Sequence, residues 1–268
     1  MQGIDFEKVL EYARFGIRRA SLFMGFAVNM ANNPNVRDYD LSNQTKYRVL
    51  PESSDEHTLT EYKHEFKIWV IANALRELHE SFVEYLEKVN QACLTFEWVA
   101  GEKTPEECDK SLKKFHNAGF PDKLDILRKK FSVETQHENG WLSLNAARNC
   151  FTHRRGIVGQ DDLNQGDCLE LRWRVLEIYF IPAEGQPVLN YHIPPGGLPA
   201  EGGAIESKYA ERKFSFNQGQ FIELSPIQLS EICAFADEAA VELASAAVEF
   251  ARKKGISIRN REDGASAG

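Results

Sequence analysis

Apolar residues recur at intervals of three and four from Ile4 to Met30, through Phe6, Val9, Leu10, Ala13, Ile17, Ala20, Phe23, Phe26 and Met30. That period predicts a long amphipathic helix. From Ala31 to Thr58 the period is lost and breakers accumulate (Asn32, Asn33, Pro34, Pro51, Ser53, Ser54), which predicts an irregular surface loop. Thr60 to Trp98 carries the strongest helical signal. Ile68, Ile71, Ala72, Leu75, Leu78, Phe82, Tyr85, Leu86, Val89, Cys93 and Phe96 trace one stripe, with Glu77, Glu80, Glu84, Glu87 and Lys88 on a solvated face. At about 1.5 Å per residue such a helix approaches roughly 60 Å. This exceeds what a compact domain needs and points to a kink or a dimer contact.

Shorter elements follow. Thr104-Pro105-Glu106-Glu107 reads as a capping box with proline at the first helical position, opening a helix to about Asn117. Pro121 to Phe131 predicts another short helix through Leu124 and Leu127. Trp141 to Gly156 predicts a helix closed by a glycine cap. From Cys168 to Ile181 the texture changes: Leu169, Leu171, Trp173 and Val175 alternate with Glu170, Arg172 and Arg174, which predicts strand. Pro194 to Gly203 reads as a loop, and Phe214 to Leu224 as a hairpin turning around Asn217 to Gly219. Ser225-Pro226-Ile227-Gln228 is a second capping box, and the helix it opens runs to about Lys254 with an alanine-rich face (Ala234, Ala239, Ala240, Ala244, Ala246, Ala247). The fold class expected is mainly α, a helical bundle with a small antiparallel β insertion before the last helix. The divisions are residues 1–160 for the bundle, 161–224 for the β-rich insertion, 225–255 for the helix packing back, and 256–268 for a frayed tail.

Composition narrows the function classes. With 43% hydrophobic residues in 268, a substantial core is available. A formal charge of −8 argues against a protein that coats nucleic acid without specificity, although it leaves room for a local site. The five cysteines, Cys93, Cys108, Cys150, Cys168 and Cys233, have neither zinc nor redox spacing and read as reduced thiols, so cytoplasmic localisation is expected. Ala20 to Val28, the most apolar early run, is too short for a membrane span, and no secretory leader is expected. The histidines His57, His64, His116, His137 and His192 form no ligand spacing, so neither metal nor other cofactor is expected.

Against that acidic background Arg148, Asn149, His153, Arg154 and Arg155 fall within little more than two helical turns. Asn149 and His153 are four apart and share a face, whereas Arg148 sits five before His153 and points about 140° away. His153 falls in the last turn, where a cationic side chain is favourable. Arg148-Asn149-Cys150-Phe151-Thr152-His153 resembles the motif of the HEPN superfamily: an arginine, a polar residue, and a histidine after four intervening positions near the end of a late helix. The resemblance covers roughly Ile4 to Gly159 together with the last helix, with specific residues only in the motif.

The resemblance implies a HEPN-like bundle and a metal-independent endoribonuclease with a toxin–antitoxin or antiviral defence role. It also implies RNA as substrate, a homodimer whose two motifs face one cleft, and an antitoxin or regulatory protein as partner. Transesterification of RNA needs a proton taken from the 2′-OH, one given to the leaving 5′-oxygen, and a cation for the phosphorane; an imidazole and a guanidinium supply these. His153 and Arg148 are the catalytic candidates, Asn149 supports His153 or satisfies neighbouring backbone, and Arg154 and Arg155 are RNA-binding candidates. His79, on the longest helix, is a candidate supporting partner. The structural alternatives are an ion pair of Arg148 with a glutamate of the long helix, a helix-capping role for His153, and solvated arginines at 154 and 155. The competing function is a non-catalytic dimerisation or partner-binding protein.

Overall fold

A computed structural model describes residues 4–37, 55–182, 184–189 and 202–256. Its six α-helices are α1 (Phe6–Asn32), α2 (Glu56–Val99), α3 (Pro105–His116), α4 (Phe120–Phe131), α5 (Glu138–Arg154) and α6 (Pro226–Lys253). Three strands, β1 (Cys168–Pro182), β2 (Val188–Leu189) and β3 (Gly203–Asn217), lie between α5 and α6. The protein is thus mainly helical, with a small antiparallel sheet before the last helix. No helix among the described residues is long and apolar enough to cross a membrane.

Side-chain caps open four of the helices, α1, α2, α3 and α6, and α2 and α5 begin at Glu56 and Glu138, before the Thr60 and Trp141 that periodicity indicates. Asp5 and Asp55 accept hydrogen bonds from the backbone N–H of Glu7 and Thr58 and open α1 and α2. Both capping boxes form, Thr104 with Glu107 and Ser225 with Gln228. α2 is a single helix of 44 residues and buries the predicted stripe from Ile71 to Phe96. Against it Phe82 stacks on Trp141 of α5 with ring centroids 3.8 Å apart, and the Tyr85 hydroxyl donates to the Ala240 carbonyl of α6 at 2.6 Å. On α6 the inward face carries Ala236, Ala239, Ala240, Ala244 and Ala247, all buried, whereas Ala234 is exposed.

The long first helix departs from its sequence pattern. Its buried residues are Leu10, Ala13, Gly16, Ala20, Met24 and Ala27, while Phe23, Phe26 and Met30 are exposed. The reason is close approach: a Cβ at Gly16 would stand 2.2 Å from Ser81 Oγ, so only small side chains fit most of the seam with α2. The larger residues of the same helix are displaced outward.

β1 pairs antiparallel with β3 along its whole length, from Cys168 opposite Asn217 to Pro182 opposite Gly203, and β2 adds to its other edge. The expected hairpin over Phe214 to Leu224 does not form. Phe214 pairs opposite Leu171, since the fifteen residues of β1 offer a longer partner than residues 218–224. The chain does turn at Asn217 to Gly219, then leaves the sheet, and Ile222 N–H donates to the Gly156 carbonyl at 2.8 Å. Leu169, Leu171 and Trp173 lie in the same buried cluster as the helices, so the sheet and bundle share a core. The predicted loop before Gly202, most of Ala31–Thr58 and the tail fall outside the described residues.

Candidate functional site

α5 is held between α2 and β1. Ser143 Oγ accepts from Arg172 N–H at 3.0 Å and donates to the Gly140 carbonyl at 2.8 Å. Gly140 leaves space that Phe235 fills, since a Cβ there would stand 2.5 Å from that ring. α5 ends in two left-handed residues, Arg155 (φ 54°) and Gly156 (φ 82°), and Gly156 N–H returns to the Cys150 carbonyl. The glycine is required twice over, because a Cβ there would also strike the Phe151 and Phe221 rings at 2.7 Å.

Arg148 is half-buried on the α2 side of α5. Its Nη1 donates to Asn149 Oδ1 at 2.7 Å and its Nη2 to His79 Nδ1 at 3.2 Å, while Nε is buried without a partner. Among the described residues no carboxylate pairs with it, so in place of the alternative, a glutamate bridge to the long helix, there is a neutral histidine. His79 is buried and its pKa is pushed down to about 4, first by burial and then by the Arg148 charge; Asn145 opposes both. With Nδ1 accepting from Arg148, the ring proton sits on Nε2, which lies buried outside hydrogen-bonding geometry with any partner. Phe120 closes the other side, its ring centroid 4.6 Å from that of His79. A guanidinium oriented by two neutral acceptors keeps its full charge for an anion.

The remaining candidates are placed differently. His153 is exposed on the last turn of α5, and the hydrogen bonds of Arg148 go to Asn149 and His79 instead. Asn149 Oδ1 accepts from Arg148, and among the described residues it makes no hydrogen bond to His153. Arg154 is held by Asp162, which is buried and also accepts from Gly159 N–H at 2.8 Å. Arg155 occupies the C-cap of α5, and the predicted glycine stop, Gly156, follows it in the left-handed conformation. The Arg155 side chain reaches the edge of an open hollow of about 1080 Å³, walled by Met30, Tyr62, Phe66 and Trp69. Cys150, inside the motif, is buried, and burial beside Asp162 pushes its thiol up to about 12, so it is no nucleophile.

Two features lay beyond the sequence reading. Asp162 sits in a short 3-10 turn (Gln160–Asp162) that periodicity cannot resolve, and the aromatic hollow joins residues from α1, α2 and α5. Among the described residues no cluster of three histidine, cysteine or acidic side chains is arranged to hold a metal ion. No protein-family model, no curated protein and no solved structure matches the chain.

Proposed function

We propose that the protein is a HEPN-like, metal-independent endoribonuclease of the cytoplasm, acting as a homodimer in defence or toxin-type growth control under an antitoxin or regulatory partner. One observation carries this reading: in an acidic protein, Arg148 is half-buried, oriented by Asn149 and neutral His79, and left without a carboxylate. An isolated buried charge is costly, and its retention is explained by an anion that binds there. In the reaction the RNA 2′-oxygen attacks phosphorus as the P–O5′ bond breaks, leaving a 2′,3′-cyclic phosphate and a 5′-hydroxyl. His153 moves protons at these oxygens, Arg148 neutralises the phosphorane, and Arg155 holds a neighbouring phosphate. Because Arg148 and His153 diverge on α5, one protomer supplies the guanidinium and the other the imidazole.

Purified protein incubated with a mixed RNA pool in EDTA tests this. Cleavage that persists in chelator and is lost in both Arg148→Ala and His153→Ala is the expected result; no cleavage by the folded wild type rejects it. A second reading, a non-catalytic dimerisation or partner-binding protein, is favoured by the engagement of Arg154 with Asp162 and by large exposed apolar side chains on α1 and α2.

A further inference from the structure

α1 is packed inside out for a helix at the edge of a single molecule. Most of its inward positions carry alanine or glycine, whereas Phe15, Leu22 and Phe26 are 54–59% exposed. At about 100° per residue these three fall within about 40° of one another on one line of the helix. Phe23 and Met30 widen that line, and Phe66 and Trp69 continue it on α2, where Met30, Phe66 and Trp69 wall the same hollow. Arg19 joins the two helices in the middle: its guanidinium lies over the rings of Phe15 and Phe23 and pairs with Glu77 of α2 at 2.8 Å. A helix apolar on both faces is normally covered on both, and a continuous apolar patch this large is unusual on a monomer.

We infer that this α1–α2 face is where a second copy of the chain docks. Three observations select that occupant. Seven side chains exposed by 38–65%, at about 200 Å² each when free, present roughly 700 Å², near the ~800 Å² that each partner brings to a standard interface. The chain as a whole carries −8, so two copies repel unless they meet where acid is absent or neutralised. From Phe15 to Asn32 α1 contains no Asp or Glu, Glu77 is paired with Arg19, Glu11 at the near end is paired with Arg18, and the one acidic residue among the described residues lining the hollow, Glu65, lies among Arg37, Lys63 and Arg155. A mainly apolar surface without unneutralised acid is complementary to itself, as a twofold contact requires, whereas a partner of opposite charge would need a strongly charged one. Two long helices from each copy then form a four-helix layer.

The inference rests on the homodimer part of the proposed function and on none of its chemistry. Sedimentation velocity on the full chain at micromolar concentration is expected to give a two-chain mass for the wild type and for Val241→Glu, an exposed apolar position on α6. The double variant Leu22→Glu with Phe26→Glu, and separately Phe66→Glu on the other helix, are expected to give the one-chain mass, with dissociation constants raised by about a hundredfold or more. These positions are exposed, so unchanged circular dichroism is expected to accompany the loss of mass, and Phe66→Glu decides the matter if the double variant unfolds. A wild type of one-chain mass, or substituted chains that keep the two-chain mass, overturns the inference. A two-chain mass without RNA cleavage upholds it and removes only the nuclease.

Discussion

Arg148 and Asp162 are both charged and withdrawn from water, and they differ in what surrounds them. Asp162 is paired with Arg154 and a backbone N–H, so Asp162→Ala leaves a cation and a donor stranded and is expected to cost about 3 kcal/mol. Arg148 has no anion to strand, only the His79 and Asn149 acceptors, so Arg148→Met is expected to cost about 1–2 kcal/mol, less than Asp162→Ala, while abolishing RNA cleavage. Urea unfolding of the two variants measures the contrast. His79 gives a pH signature. The unfolded chain takes up its proton near 6.5 and the folded chain only near 4, so its contribution is complete above pH 6.5 and is lost as pH falls toward 4, by roughly 3 kcal/mol. His137, also buried with its pKa lowered chiefly by burial, acts in the same direction. Thermal melts between pH 7 and 4.5 should fall more gently in His79→Gln than in the wild type.

At the scale of elements, much of the helical framework was legible in the sequence, because caps and three-four periodicity act locally. Thr104 with Glu107, Ser225 with Gln228, and the α2 stripe all form as the residues indicate. The misreadings occurred where a distant segment decides. Gly16 against Ser81 turned α1 so that Phe23, Phe26 and Met30 face outward, and β1 selected Gly203–Asn217 as partner in place of a local hairpin. The candidate site divided likewise: motif spacing pointed to Arg148, but only packing could make Asn149 its partner. At the end of α5 the left-handed conformation falls on Arg155 as well as Gly156, at a strain of about 1 kcal/mol. Arg155→Gly is therefore expected to stabilise the protein by about that amount and to weaken RNA binding, read by urea unfolding and by anisotropy of a labelled oligoribonucleotide.

For the whole molecule, the proposed nuclease reaction would be a property of the pair of chains, because Arg148 and His153 diverge on α5. Arg148→Ala and His153→Ala, each inactive alone, are expected to recover about a quarter of wild-type cleavage when unfolded together, mixed equally and refolded. Half of the dimers are then mixed, and each of these holds one intact site of two. No recovery in such mixtures would place both groups in one chain or outside the chemistry.

The backbone contact at Gly16 also bears on how this sequence can drift. A single added methyl meets Ser81 Oγ, so the inner wall of α1 admits nothing larger at Gly16, whereas its outer wall is largely exposed and is crossed chiefly by Arg19 over Phe15 and Phe23. If two copies do meet on this face, a lineage that lost the contact would turn the aromatic outer wall polar while the glycine stayed, and divergence between the two walls of one helix would record the change.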